Sequence, residues 1–171
     1  MHKARQDSAP PPHRAMKKSE RISALVATLG SDTELDPHYT GYFACFNAQR
    51  YYEAHDVLED LWLRRRDEHH AFFKGLIQLA GAFVHLQKQS ARPEHPKDGR
   101  RLHPAVRLFR LALANLDAYR PRHLRLDVAA VCGMCAAFAE EIAASEFTRN
   151  PWPARTQIGR ASCRERVYSS V

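Results

Sequence analysis

Apolar residues recur every three or four positions along most of the chain, which is the period of amphipathic α-helices. The pattern predicts six helices, over about 17–29, 37–46, 49–65, 70–88, 104–119 and 128–145. Asp36 followed by Pro37 is typical of a helix start, and Asp127 can cap the last helix. Few segments alternate apolar and polar residues, which disfavours an all-β fold. The sequence therefore predicts an all-α fold, a single bundle of five or six mostly antiparallel helices.

The two ends of the chain differ in composition from the rest. Residues 1–16 are rich in proline and charge and have no period, which indicates a disordered leader. The helical bundle is expected over residues 17–147. Residues 148–171 are expected to be a disordered tail, of which residues 157–167 resemble translated sequencing-adapter read-through.

The net charge of +7 is concentrated at these ends. Residues 1–20 hold five basic and two acidic side chains, and residues 158–171 hold three basic and one acidic. Nucleic-acid binding depends on clustered Lys and Arg on the folded part, so a nucleic-acid partner is not expected. No apolar run is long enough to cross a bilayer, and no membrane partner is expected. Four cysteines without a secretory signal favour the cytoplasm.

One face of the helix predicted at 49–65 combines aromatic residues with two ionisable ones. Its members lie within a band of about 120° and are Tyr51, Tyr52, His55, Leu58, Glu59 and Trp62. By periodicity this band faces inward. A buried carboxylate without a partner costs several kcal/mol, so His55 and Glu59 must be hydrogen-bonded, ion-paired or bound to a ligand.

The next helix, 70–88, has a stripe of small residues and two polar ones. Gly75, Gly81 and Ala82 allow a neighbouring backbone to approach closely, and Gln78 and His85 lie two turns apart on the same side. A short connection predicts that this helix packs antiparallel to the preceding one. Gln78 and His85 are therefore expected to face His55 and Glu59.

Two phrases carry a family resemblance: YYEAHDVLEDLW (51–62) and FFKGLIQLAGAFVHLQK (72–88). Over about 39–117 the chain resembles the bacterial and archaeal domain-of-unknown-function family 309, whose hallmark is EAHxxLExxW followed by GLIQ and a later His. The resemblance implies a small all-α bundle and no established activity. The first acid of the hallmark is Glu53, which joins the candidate polar cluster of Glu53, His55, Glu59, Trp62, Gln78 and His85.

Three interpretations of this cluster stay open at the level of sequence. It can be a hydrogen-bond network that fixes helix register, a small-molecule pocket, or a site for one divalent metal ion with His55, Glu59 and His85 as ligands. We expect a binding or interaction module without a cofactor, whose partner is an unknown protein or small molecule. The sequence also leaves open whether the chain forms a homo-oligomer. The alternative is a metal-dependent hydrolase. Cys132 and Cys135 form an isolated CxxC that is expected to be buried structure.

Overall fold

The structure is a computed structural model that describes residues 17–28, 34–153 and 158. These residues form six α-helices: α1 (Lys18–Thr28), α2 (Pro37–Asn47), α3 (Tyr51–Arg64), α4 (His70–Ala91), α5 (Leu102–Leu116) and α6 (Val128–Ala144). Short 3-10 turns lie at Asp98–Arg100 and Asp117–Tyr119. The predicted all-α bundle is confirmed. Among these described helices, none is sufficiently long and apolar to span a membrane.

Helix starts follow from local side-chain chemistry. Asp36 accepts a hydrogen bond from the backbone N–H of His38 at 2.8 Å, and Pro37 opens α2. Asp127 accepts from the N–H of Ala130 at 2.9 Å and caps α6 in the same way. Both predicted caps are confirmed. The start of α5 differs, because Leu102 precedes Pro104 and the proline occupies the first turn rather than the first position.

Helix α4 is the central element, and it packs against both α3 and α5. Phe83 lies in the middle of the core and has no exposed surface. Its ring stacks on Tyr51 at 4.9 Å between centroids and meets Phe46, Phe109 and Phe138 edge-on at 5.2–5.5 Å. Such pairs stabilise a core beyond the apolar area that they bury. The aromatic cluster thus joins four helices around α4.

The small-residue stripe of α4 makes its closest contact with α5, not with α3. A Cβ atom on Gly75 would lie 2.7 Å from Cγ of Leu116 and 3.3 Å from the carbonyl oxygen of Ala112. Real Cβ atoms essentially never come this close to a neighbour. The expected close approach therefore exists, but its partner is the helix that follows in sequence.

Gly75→Ala is expected to lower the free energy of unfolding by about 1–2 kcal/mol, because overpacking of the α4–α5 contact outweighs the better helix propensity of alanine. Gly133→Ala is the matched control, since a Cβ on this exposed glycine of α6 meets nothing within 4 Å. It should stabilise by about 0.5–1 kcal/mol. Urea unfolding of both variants measures the difference, and a stabilised Gly75→Ala would contradict the tight packing of α4 on α5.

A two-stranded hairpin between α5 and α6 was not predicted. Arg122–His123 pairs antiparallel with Leu126–Asp127, and the two connecting residues, Leu124 and Arg125, have φ of 43° and 62°. Positive φ at both positions is the geometry of a type I′ turn. The hydroxyl of Tyr39 donates to the carbonyl of Leu124 at 3.1 Å and attaches the turn to α2.

The chain after α6 returns to the bundle. Asn150 donates to the carbonyl oxygen of Leu86 at 2.9 Å, and Trp152 meets the ring of Tyr51 edge-on at 5.7 Å. Ile158 is 5% exposed, and its backbone exchanges two hydrogen bonds with the Asn47 side chain. Packing thus extends into the segment 148–171 that was expected to be a disordered tail. The expected leader 1–16 and the rest of that tail lie outside the described residues.

Candidate functional site

The orientation of α3 corrects the predicted face. The residues of α3 that face the core are Tyr51, Ala54, Val57, Leu58 and Leu61. Tyr51 and Leu58 were expected on this face, but Ala54, Val57 and Leu61 were not, so the core-facing side is rotated towards them from the expected band. Tyr52, expected inside, is 57% exposed, whereas Asp56, expected outside, is 7% exposed. Asp56 is buried because α1 covers the side of α3 that faces away from the core.

Lys18 of α1 brings the polar residues of α3 together. Its Nζ lies 2.9 Å from Oδ1 of Asp56 and 2.8 Å from Oε2 of Glu59. Nδ1 of His55 lies 3.5 Å from the same Oδ1 of Asp56. The ammonium therefore bridges two carboxylates, with an imidazole at the edge of the group. We call His55, Asp56 and Glu59 the α3 triad.

Burial and charge in this cluster are uneven. Among the four side chains, that of Asp56 is 10% exposed, those of Glu59 and His55 are both 31% exposed, and that of Lys18 is 47% exposed. Partial burial lowers the pKa of Lys18, but the hydrogen bonds that its ammonium donates to Glu59 and Asp56 outweigh this effect and raise the pKa above its ordinary value. The ammonium is accordingly held in its charged form.

The α3 triad also has the composition of a metal site. One nitrogen or oxygen atom from each of His55, Asp56 and Glu59 lies within 4.8 Å of the others. His55 and Glu59 are i and i+4 on the helix, a spacing that places them on one face. Asp56 takes the place that sequence analysis gave to His85. Asp56 directly follows His55, and adjacent side chains of a helix point in different directions unless a third group draws them together. The spacing therefore did not suggest Asp56 as a ligand.

Gln78 and His85 on α4 do not join the α3 triad. The side-chain oxygen of Gln78 accepts a hydrogen bond from Asn115 of α5 at 2.8 Å. Burial, followed by the charges of Arg101 and Lys88, lowers the pKa of His85. The point of α4 that comes near His55 is Gly81, where an added Cβ would lie 4.0 Å from its ring. Gln78 thus pairs with α5, not with His55 or Glu59 as expected, and Gly81 lies between Leu108 of α5 and the His55 ring.

The remaining predicted residues lie at the two ends of α3. Glu53 is exposed at the first turn, beside the cavity between α1 and α3. Trp62 is half-buried at the last turn and stacks on His70 at 4.7 Å, with the Arg66 guanidinium 5.6 Å from its ring. Neither belongs to the α3 triad, and the Trp62 contacts join the end of α3 to the start of α4.

A pair of histidines at the base of the hairpin was missed by sequence analysis. Nδ1 of His69 lies 2.9 Å from Nε2 of His123, so one ring donates a hydrogen bond to the other. Burial and the neighbouring His69 lower the pKa of His123. The pair joins the α3–α4 connection to the first hairpin strand, Arg122–His123. Its partners are 54 residues apart, and no local pattern brings them together.

The CxxC segment has the properties of packed structure. Cys132 and Cys135 are fully buried in α6 and are not bonded to each other. Burial raises the pKa of the Cys135 thiol to about 12, which leaves it protonated and unreactive at neutral pH. This arrangement agrees with the expectation of a structural role.

Comparison with known proteins identifies a family match. The family model described as "Domain of unknown function (DUF309)" matches residues 39–93, which run from α2 to the end of α4. The match includes the α3 triad, Trp62, Gln78 and His85. No curated protein matches the chain. No solved structure matches it either.

Proposed function

We propose that residues 39–93, which match the DUF309 family model, form a cation-binding module in which the α3 triad holds one divalent metal ion. The observation that carries the proposal is the position of the Lys18 ammonium, 2.8–2.9 Å from two carboxylate oxygens beside an imidazole. A positive charge already occupies the centre of this donor set. The same three side chains would coordinate a metal ion at that position.

The chemistry of the donors supports a transition-metal ion. Imidazole nitrogen together with carboxylate oxygen suits Zn²⁺, Mn²⁺ and Fe²⁺ better than the hard ions Mg²⁺ and Ca²⁺, which take oxygen ligands. Two carboxylates also neutralise the charge of a divalent ion, so the bound state would carry no net charge at the site. Rotation of the half-exposed His55 and Glu59 side chains would shorten the distances to the ion.

The adjoining cavity supports an ion rather than an organic ligand. It lies between α1 and α3 and measures about 130 Å³. Pockets for drug-sized molecules measure about 300–1,000 Å³. The hydrolase alternative would need the same ion with a bound water, and in addition a substrate site next to it. We therefore propose ion binding alone, with Asp56 in place of His85 as the third ligand.

Isothermal titration of the untagged full chain with Zn²⁺ tests this function. We expect uptake of one ion per chain that weakens at least tenfold in His55→Ala. His95→Ala is the matched control, because His95 is a half-exposed histidine of the α4–α5 loop, away from α3, and its loss should leave the affinity unchanged. Identical isotherms for the wild type and His55→Ala would overturn the proposal.

A further inference from the structure

Helix α1 is attached to the bundle by few groups. Ile22 is its only buried residue, and Leu25 packs half-buried against the core. The cavity of about 130 Å³ beneath the helix leaves part of the α1–α3 contact unfilled. The ion pairs of Lys18 with Asp56 and Glu59 are therefore a large share of what holds the start of α1 on α3.

The Lys18 ammonium and a metal ion need the same oxygen atoms. Oδ1 of Asp56 and Oε2 of Glu59 accept from Nζ of Lys18. A transition-metal ion binds carboxylate oxygen at about 2.0–2.2 Å, in the space between the donors. An ammonium 2.8–2.9 Å from both oxygens already occupies that space. The two cations therefore exclude each other.

We propose that Lys18 is a built-in competitor for the ion site, so that a divalent ion displaces the lysine from Asp56 and Glu59 and releases α1 from α3. This inference rests on the proposed function and adds its regulation. Lys18 can leave because the ion takes over its charge beside the two carboxylates, its side chain is 47% exposed and the freed ammonium is readily hydrated. Once it has left, Ile22 is the one buried side chain that holds α1 in place.

Zn²⁺ titration of two lysine variants tests the competition. Lys18→Met removes the charge and keeps the aliphatic stem, and it is expected to bind Zn²⁺ about tenfold more tightly than the wild type, within the usual range of coupling between two sites. Lys17→Met is the matched control, since it removes a neighbouring exposed lysine that has no side-chain contact with the triad. Its affinity should equal that of the wild type.

The possible failures are distinguishable. If the wild type and Lys18→Met bind equally well, and His55→Ala does not bind, the ion site stands and the competition is refuted. If no variant binds Zn²⁺, the proposed function itself has failed. If Lys17→Met gains as much as Lys18→Met, the effect is general electrostatics and the specific competition is refuted.

Hydrogen exchange measured by mass spectrometry tests the release of α1. Zn²⁺ is expected to speed exchange in the peptide that covers residues 18–28 of the wild type, and to have no effect on this peptide in His55→Ala. In Lys18→Met the peptide should exchange faster from the outset and respond little to Zn²⁺. Unchanged exchange in the wild type at saturating Zn²⁺ would show that the ion binds without moving α1, which overturns the release.

Discussion

Replacing Phe83 with alanine is expected to lower the free energy of unfolding by about 3–5 kcal/mol, the usual cost of deleting a buried aromatic side chain. The ring has no exposed surface and contacts one aromatic residue from each of four other helices: Phe46, Tyr51, Phe109 and Phe138. Four rigid aromatic neighbours cannot collapse into the space without leaving their rotamers, so most of the cavity would remain. Urea unfolding followed by circular dichroism measures the loss.

Leu63→Ala is the control for this substitution. Leu63 is 58% exposed at the end of α3, so its truncation should change stability by no more than about 0.5 kcal/mol. A loss below about 1 kcal/mol in Phe83→Ala would mean that Phe109 and Phe138, which stack at 5.5 Å, can move together and close the cavity. That result would contradict the role of Phe83 as the centre of the core.

Most of the helical architecture was predictable because its determinants are local. Caps such as Asp36 and Asp127 act on backbone N–H groups two or three residues away, and the structure has both bonds. Apolar periodicity located all six helices for the same reason. The hairpin was not predictable, since Leu124 and Arg125 take positive φ in a turn where Asn and Gly are usual. Its geometry depends on Tyr39, 85 residues away in sequence.

The candidate site was predicted in part. The sequence identified His55 and Glu59 as ionisable residues that need partners, and the structure gives Glu59 one in Lys18. Sequence periodicity placed Tyr51 and Leu58 correctly inside, but it rotated the inward face of α3 because Tyr52 and Trp62 were counted as inward residues. Tyr52 is exposed, and Trp62 is half-buried through local stacking on His70. An exposed aromatic residue at a helix boundary has the same hydropathy as a buried one. Apolar periodicity therefore could not distinguish exposed aromatic residues from buried ones.

The partner of Glu59 was not predictable, because Lys18 precedes it by 41 residues. The apolar period of a short amphipathic helix does not indicate which of its lysines contacts which carboxylate of another helix. Asp56 was missed for a related reason. It lies on the side of α3 that faces away from the core, and it becomes buried only because α1 covers it. The chemistry of the triad therefore depends on tertiary packing, whereas its position on α3 follows from sequence.

The two carboxylates that Lys18 bridges are expected to contribute unequally to stability. Asp56→Asn is expected to lower the free energy of unfolding by about 1.5–3 kcal/mol, because a hydrogen bond to a charged group is lost at a side chain that is only 10% exposed. Glu59→Gln should cost about 0–1 kcal/mol, since Glu59 is 31% exposed and water can replace the lysine. Urea unfolding at neutral pH measures both values.

Glu140→Gln, on the exposed face of α6, is the control for removing a carboxylate charge and should change stability by about 0.5 kcal/mol or less. A Glu59→Gln variant that loses as much stability as Asp56→Asn would contradict the unequal burial of the two groups. If Asp56→Asn is as stable as the wild type, the buried carboxylate contributes nothing to folding. Because burying a charge is costly, a carboxylate that is retained without stabilising the fold is typical of a residue kept for binding.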